Sequence, residues 1–408
     1  MAKKTINLTM AAAIDNGNGF SKSYIQFEDG FKQISITPSI FAPVSGQGLI
    51  PSFDQSNITD FNKGMDAVIK SPALQINSEY LIGDSAINSG NALTSYNVEA
   101  NAGKTESDVT IIIPLAKIAY GALARTMTKT QSIPATININ ITHYVTCLPI
   151  REFSNLKKRE SLRKKLSKGK HTVTIKSLEQ DVKVVISFNL DNTSVYPEGI
   201  LSQIGLIYSC DNYPAYRNDE LYKESPYANG QVYAQSGNAL LIDIGDGTTD
   251  ISVMDATHPI KGAGVNTSLN LGAGTAAAAA SDQLSIDYPQ IGHYTRSVFL
   301  EHTLKDNKEG QTLRDKYLKP QIDLLISSIE AEVAKEFQKM NNDINTVVVL
   351  GGGSNLFTTK NKADFQAMLD STNPLADHQQ IWWIGPKYNQ LLNLDGLRVL
   401  LTRKMQNS

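Results

Sequence analysis

The sequence predicts an α/β protein built from two similar halves, and three stretches carry that prediction. Residues 11–25, AAAIDNGNGFSKSYI, and 240–254, LLIDIGDGTTDISVM, each lead an apolar strand through an acidic, glycine-studded turn into an alternating strand. The third, TVVVLGGGSNLF at 346–357, is a buried-strand pattern that breaks into three glycines. Two copies of one turn indicate an old duplication of whole domains, although no tandem repeat of shorter period is present.

Taken in order, MAAAI leads to the first turn, and SKSYIQF continues through Asp29-Gly30 to FKQISIT, a hairpin signal. Residues 43–66 are rich in Gly, Pro, Ser, Asn and Asp and read as a surface excursion. VTIIIPLAKIAYGALA (109–124) opens a buried helix, and INITHYVTCLPI (139–150) is a strand. Residues 157–170 hold eight Lys or Arg and one Glu on what reads as a helix. The spacing fits a solvated face, with a surface for an acidic partner or DNA as the alternative. No aromatic residue interleaves the basic ones, so base stacking is not supported. In the second half, NLGAGTAAAAASDQL (270–284) reads as a glycine turn feeding a helix. PQIDLLISSIEAEVAKEFQKM (320–340) places Ile322, Leu325, Ile329 and Val333 on one core-facing stripe. GLRVLL, near the end, fits either a returning strand or a helix.

The turns are Asp15-Asn-Gly-Asn-Gly-Phe-Ser and Asp243-Ile-Gly-Asp-Gly-Thr-Thr, both Asp-x-Gly-x-Gly-x-Ser/Thr. Glycines without a Cβ let the backbone approach a ligand, and successive amides form a concavity for anions. Asn16, Gly17, Asn18, Gly19 and Phe20 belong to the first candidate phosphate turn. Gly245, Asp246, Gly247, Thr248 and Thr249 belong to the second. The hydroxyls of Ser21, Thr248 and Thr249 add donors. An aspartate beside a phosphate makes sense only with a hard cation between them, so Asp15 and Asp243 are the expected Mg²⁺ ligands, with Lys22 neutralising further charge. No Walker loop is present, and a strand rather than a helix follows each turn, which excludes the dinucleotide fingerprint. Gly351, Gly352, Gly353 and Ser354 fit a backbone lying flat beneath a purine. Gly272 and Gly274 are candidates for the sugar and phosphate side.

With 41% hydrophobic and 19% charged residues, the 408-residue chain has an ordinary globular composition. A net charge of −2 argues against a surface built for nucleic acid or membrane. Two cysteines, Cys147 and Cys210, make neither a disulfide framework nor a zinc site. The N-terminus lacks the apolar core of a signal peptide, so a cytoplasmic protein is expected. The six histidines, His143, His171 and His258 among them, show no metal-ligand spacing and are read as structural or exposed.

These elements, in this order, resemble the nucleotide site of the actin, heat-shock chaperone and sugar kinase superfamily. DNGNGFSK and DIGDGTT are similar to the two phosphate loops of actin. The stretches VTCLPIREF, KKRESLRKKL, GKHTVTIKSL, VYPEGIL, VVVLGGGSNLF and PKYNQLLNLDGLRVL resemble the bacterial ParM-type plasmid-segregation actins. The likeness is weakest at 43–105 and 208–236. It implies two similar actin-like (ribonuclease H-like) domains around a nucleotide cleft, with domain I at 1–238 plus a return at 386–408 and domain II at 239–385. It also implies bound ATP with Mg²⁺, GTP being left open. By the same resemblance Glu152, in LPIRE, orients the attacking water, and Asp243 joins it as a catalytic residue. Asp246 departs from the bacterial pattern and follows actin.

The expected function is therefore a polymerising ATPase of the bacterial cytoplasm, whose filaments segregate plasmid DNA. Its expected partners are further copies of itself and a DNA-binding adaptor on a centromere-like site. Neither direct reading of DNA sequence nor membrane binding is expected. A small-molecule (sugar-type) kinase is the alternative, and a chaperone is disfavoured because the chain ends soon after the last ATPase element.

Overall fold

The computed structural model describes residues 5–44, 61–96, 103–176, 180–255, 258–259, 266–292, 294, 296–373 and 379–407. The chain divides into two compact units, Met1–Ala215 with Asn393–Ser408, and Tyr216–Leu392.

In the first unit β1 (Thr5–Asn16), β2 (Phe20–Phe27) and β3 (Lys32–Pro38) form an antiparallel meander. The Asp29-Gly30 hairpin is present, closed by the Gly30 amide on the Phe27 carbonyl at 2.9 Å. The sheet continues through β4 (Ile40–Pro43), β5 (Asp66–Lys70), β6 (Ser78–Ile82) and β7 (Thr94–Ser95) at its far side. Its centre is β8 (Thr136–Leu148), parallel to β1 and longer than its neighbours. One half of β8 pairs with β10 (Val182–Phe188), which itself pairs with β9 (Lys170–Ile175); the other half pairs with β11 (Thr193–Pro197).

In the second unit β12 (Asn238–Ile244) and β13 (Thr249–Asp255) form the hairpin, and β14 (His258–Pro259) and β15 (Asn266–Leu269) pair with β13. β16 (Thr346–Leu350) runs parallel to β12, and β17 (Gln380–Trp383) parallel to β16. The two sheets thus share a strand order. A meander of three comes first, and its opening strand pairs in parallel with a fourth that pairs in parallel with a fifth: β3-β2-β1-β8-β11 and β15-β13-β12-β16-β17. The duplication expected from the turns is a duplication of topology.

The helix Val109–Thr130 is apolar and long enough to cross a membrane, yet 94% of its most apolar window is buried, so it is the core helix of the first unit. Ile111, Ile112, Ile113, Leu115 and Ile118 all lie in one core with Ile137, Ile139 and Val184. In the second unit the stripe Ile322, Leu325, Ile329 and Val333 of helix Lys319–Lys339 is buried in a core with Leu240, Ile242 and Val347. GLRVLL lies in a helix, Leu392–Gln406, of the first unit. There Gly396 packs so closely on Leu201 that a Cβ would stand 2.0 Å from its carbonyl oxygen.

The reading of 43–66 as a surface excursion needs correction at its end; residues 45–60 lie outside the described residues. Phe61, Met65 and Asp66 are buried, with Phe61 stacked on Tyr120 at 6.1 Å between centroids. Loop-like composition misled here because β5 enters the sheet between β9 and β6 and needs an apolar lead-in.

Burial first, then the neighbouring Glu79, raises the Asp66 carboxyl to about 6. A carboxyl raised in the folded state favours folding below its unfolded value, near 4, and loses that contribution as pH climbs through 6. Stability measured by urea titration should therefore fall between pH 4 and pH 6.5, and Asp66→Asn should flatten that fall.

Candidate functional site

The two acidic turns are superimposable in register. Asn16 stands opposite Ser21 and Asp15 opposite Lys22; Ile244 stands opposite Thr249 and Asp243 opposite Asp250. Each hairpin therefore encloses four residues, and its first loop residue is a glycine for the same steric reason. A Cβ on Gly17 would lie 2.8 Å from the Phe20 carbonyl oxygen, and one on Gly245 would lie 3.0 Å from that of Thr248. The aspartate closes the last rung but one of a central strand. Beyond that rung the strand leaves the apolar sheet, so a carboxylate there reaches the strand's carboxyl end.

In the first unit Asp15 is only 2% exposed, and its Oδ2 receives Lys22 Nζ at 3.0 Å. Its Oδ1 accepts from the Cys147 thiol at 3.4 Å, on the neighbouring parallel strand β8. Burial, then Asp15 and Glu198, push that thiol well above its ordinary range, so it stays a donor. Asn16 donates to the Tyr96 hydroxyl at 2.7 Å. Asn16 Oδ1 and Ser21 Oγ are buried without a hydrogen-bond partner. Two unmet polar atoms beside a buried ion pair are a polar recess that fits a ligand with oxygen and hydroxyl groups. Gly17, Asn18 and Gly19 are half-buried and Phe20 exposed at the mouth of the turn. Beneath it the fully buried Lys117 donates to the carbonyls of Ser21 and Ser35 and to the Thr37 hydroxyl. Burial, then Lys22, drive its ammonium well below the ordinary lysine range.

Glu152 sits in the short helix Ile150–Phe153, directly after β8. Its carboxylate accepts from the amides of Lys104 (2.8 Å) and Thr105 (3.2 Å) and from Thr105 Oγ1 (3.2 Å). The Lys104 ammonium donates to Glu198 Oε1 at 2.9 Å and to the Asn16 carbonyl at 3.2 Å. Burial, the largest influence, lowers that ammonium, but Glu198 together with Tyr96 and Cys147 outweighs it and raises the group above the ordinary lysine range. Lys104, Cys147 and Glu198 escaped the sequence reading. Cys147 and Glu198 stood inside the stretches VTCLPIREF and VYPEGIL, and their place at the ends of β8 and β11 was the available signal. Ligand atoms of Asp15, Cys147 and Glu198 lie within 4.8 Å of one another. The thiol is protonated and donates to Asp15, so this is a hydrogen-bonded cluster and not a thiolate metal centre.

The second unit brings its three glycine elements together. Asp243 is half-buried at the end of β12. The Gly245 amide donates to the Thr248 carbonyl, and the Ala273 amide to that of Gly245 at 3.0 Å. The Asp246 carbonyl accepts from Gly274 N at 2.7 Å and Thr275 N at 3.2 Å. The first amides of helix Ala273–Asp287 thus brace the second turn. A Cβ on Gly272 would meet the Asp246 carbonyl oxygen at 2.6 Å. Thr249 is buried and its hydroxyl donates to Leu271 O, whereas Gly247 is buried and Thr248 half-buried. Gly351, at φ +85°, lies against Asp243 and Ile244, with room for no Cβ: the nearest atom, Asp243 Oδ1, would be 2.4 Å away. Gly353 fits between Ile244 and Ala273, Gly352 faces Gln390, and Ser354 Oγ donates to Gly351 O.

Of the histidines, His171 is structural: its Nε2–H donates to Leu166 O and its Nδ1 accepts from Ser71 Oγ, as the hydrogen-bond network assigns them. His143 is largely buried; the His258 side chain lies outside the described residues. The basic stretch is helix Leu156–Ser167, capped by Asn155 on the amides of Lys157 and Lys158. Two of its cations are used internally: Arg163 donates to Thr193 O and Leu190 O, and Lys165 to Thr105 O.

Residues 13–200 match the family described as actin-like proteins, N-terminal domain. No curated protein matches the chain. Among solved structures it is similar to the actin-like protein Alp7A (TM-score 0.66, 15% identity, 98% of each chain covered). It is also similar to ParM in a 15-stranded filament from Clostridium botulinum (TM-score 0.60, 15% identity, 98% of this chain and 99% of that one). A third is Bacillus thuringiensis ParM with ATP (TM-score 0.58, 14% identity, 98% of this chain and all of that one).

Gly351→Ala should lower the stability of the second unit, measured by denaturant titration, by about 1–3 kcal/mol, since the new methyl meets backbone and a carboxylate at a left-handed residue. Gly352→Ala, whose methyl would meet only the flexible Gln390 side chain at 3.1 Å, should cost far less.

Proposed function

We propose that this chain, which has the actin-like fold of two related α/β units, is a polymerising ATPase whose filaments segregate plasmid DNA in the bacterial cytoplasm. The observation that carries the reading is coverage in both directions. Nearly the whole chain aligns with nearly the whole of a ParM seen as a filament and of a ParM seen with ATP. The paired acidic turns add a chemical reason: each unit offers one glycine turn for the phosphates of a nucleotide.

The residues fit a Mg²⁺-nucleotide. Asp15 and Asp243 are hard oxygen donors at matching positions, and the turn in the first unit leaves Asn16 Oδ1 and Ser21 Oγ unmet. In the second unit the rung carries Asp243 opposite Asp250, two carboxyl-bearing residues at the end of one hairpin. Mg²⁺, held through Asp15 and Asp243, would neutralise phosphate charge during hydrolysis. Lys22 lies beside Asp15 and adds positive charge at the first turn. Gly351 to Ser354 provide the flat backbone for the purine, and Gly272 and Gly274 support the phosphate turn through its carbonyls. Glu152 orients water for in-line attack on the terminal phosphate, its carboxylate pre-set by neighbouring amides. Further copies of the chain build the filament, and a DNA-binding adaptor on a centromere-like site links it to the plasmid.

Sedimentation of the protein with Mg-ATP, with a non-hydrolysable analogue and with EDTA, beside a phosphate-release assay, tests this reading. Mg-ATP should drive the protein into the pellet, EDTA should keep it soluble, and release of phosphate should return it to the supernatant. A protein that binds ATP yet stays soluble under all three conditions would instead be screened as a kinase. Glu152→Gln should lower phosphate release by about 10²-fold while leaving pelleting intact, so that filaments persist.

A further inference from the structure

We propose that the turn Gly103–Glu106 is the positioning element of catalysis, clamping the Glu152 carboxylate and tying it to the first acidic turn through Lys104. The inference rests on the reading of Glu152 as the water-orienting residue. Three hydrogen bonds converge on that one carboxylate from two consecutive residues, the amides of Lys104 and Thr105 and the Thr105 hydroxyl. Both residues are buried, and among the described residues no other side-chain hydrogen bond to Glu152 is formed. A carboxylate facing three donors is fixed in position and plane, which is what in-line attack requires of the group that orients water.

The turn is itself held from four sides. Lys104 Nζ reaches Glu198 and the Asn16 carbonyl, so one residue touches both Glu152, by its amide, and the first acidic turn, by its ammonium. Its carbonyl accepts from Thr110 Oγ1 at 2.6 Å. The Thr105 carbonyl accepts from Lys165 of the basic helix at 2.8 Å, and Glu106 pairs with the same lysine at 3.0 Å. Gly103 completes the clamp at φ +76°. A methyl there would stand 2.5 Å from Glu152 Cδ and 2.6 Å from both carboxylate oxygens. Since this small residue faces the carboxylate itself, a single methyl would displace the group without changing its chemistry.

The test is single-turnover phosphate release with nucleotide affinity, pelleting and thermal melting measured on the same proteins. Thr105→Val removes one donor and keeps the side-chain shape; Gly103→Ala pushes the carboxylate; Thr105→Ser restores the hydroxyl. Release should fall about tenfold for Thr105→Val and up to about 10²-fold for Gly103→Ala. Nucleotide affinity should stay within about twofold, Mg-ATP pelleting should persist, and Thr105→Ser should recover the wild-type rate. Folded variants that release phosphate at the wild-type rate overturn the proposal. So does a loss of affinity and rate in parallel, which marks a merely structural turn. If Gly103→Ala does not fold, the Thr105 pair decides alone. A wild-type protein that neither pellets nor releases phosphate would sink the proposed function, a result distinct from variants failing beside an active wild type.

Discussion

A carboxylate at the carboxyl end of a buried central strand is the constraint around which both units are arranged. β1 and β12 are flanked on each side by other strands, and each aspartate follows a buried apolar run, Met10–Ile14 in β1 and Ala239–Ile242 in β12. The two copies meet the cost of desolvating that carboxylate differently. Asp15, nearly inaccessible, has Lys22 across the hairpin, held there by the four-residue turn that sets Asp15 opposite Lys22. Asp243 has Asp250 on the same rung and lies half-buried. The shared register makes the positions equivalent, and the residue seven places on differs in charge between them, Lys22 in one copy and Asp250 in the other.

What the sequence made legible was whatever is encoded locally. The hairpins follow from glycine spacing, the helix Lys319–Lys339 from the 3.6-residue stripe through Ile322 and Val333, and the strand Thr346–Leu350 from an unbroken β-branched run. Other elements had no local signature. Residues 103–106 carry no motif, and their partner Glu152 is some fifty positions away in sequence. Lys104, Cys147 and Glu198 meet only because β8 pairs in parallel with both β1 and β11, a non-local fact. GLRVLL was ambiguous for the opposite reason: its apolar run is short enough for either period, and its environment against Leu201 selects the helix. The lysine-rich stretch shows how composition alone overstates a surface, since Arg163 and Lys165 each bind a backbone carbonyl and a nearby glutamate inside the unit.

The first unit buries two lysines close to the acidic turn, and their contrast says what each can do. Lys117 meets only carbonyl and hydroxyl oxygens, and burial drives its ammonium down; it serves as a strut under β2 and β3. Lys104 faces a carboxylate, stays charged, and is therefore fixed in direction as well as place. A buried ion pair of this kind contributes little net stability once desolvation is counted. Its value is geometric: it keeps the chain around Lys104 pressed between Glu198 and the Asn16 carbonyl.

Charge balance links this geometry to the chemistry. In the first unit Asp15, Glu198 and Glu152 supply three carboxylates, against the two ammonium groups of Lys22 and Lys104. Glu152 is met by amides and a hydroxyl, which stabilise its charge without cancelling it. The burial and pairing of Asp15 and Glu198 therefore give each of them an ammonium partner and leave Glu152 as the carboxylate held by neutral donors alone.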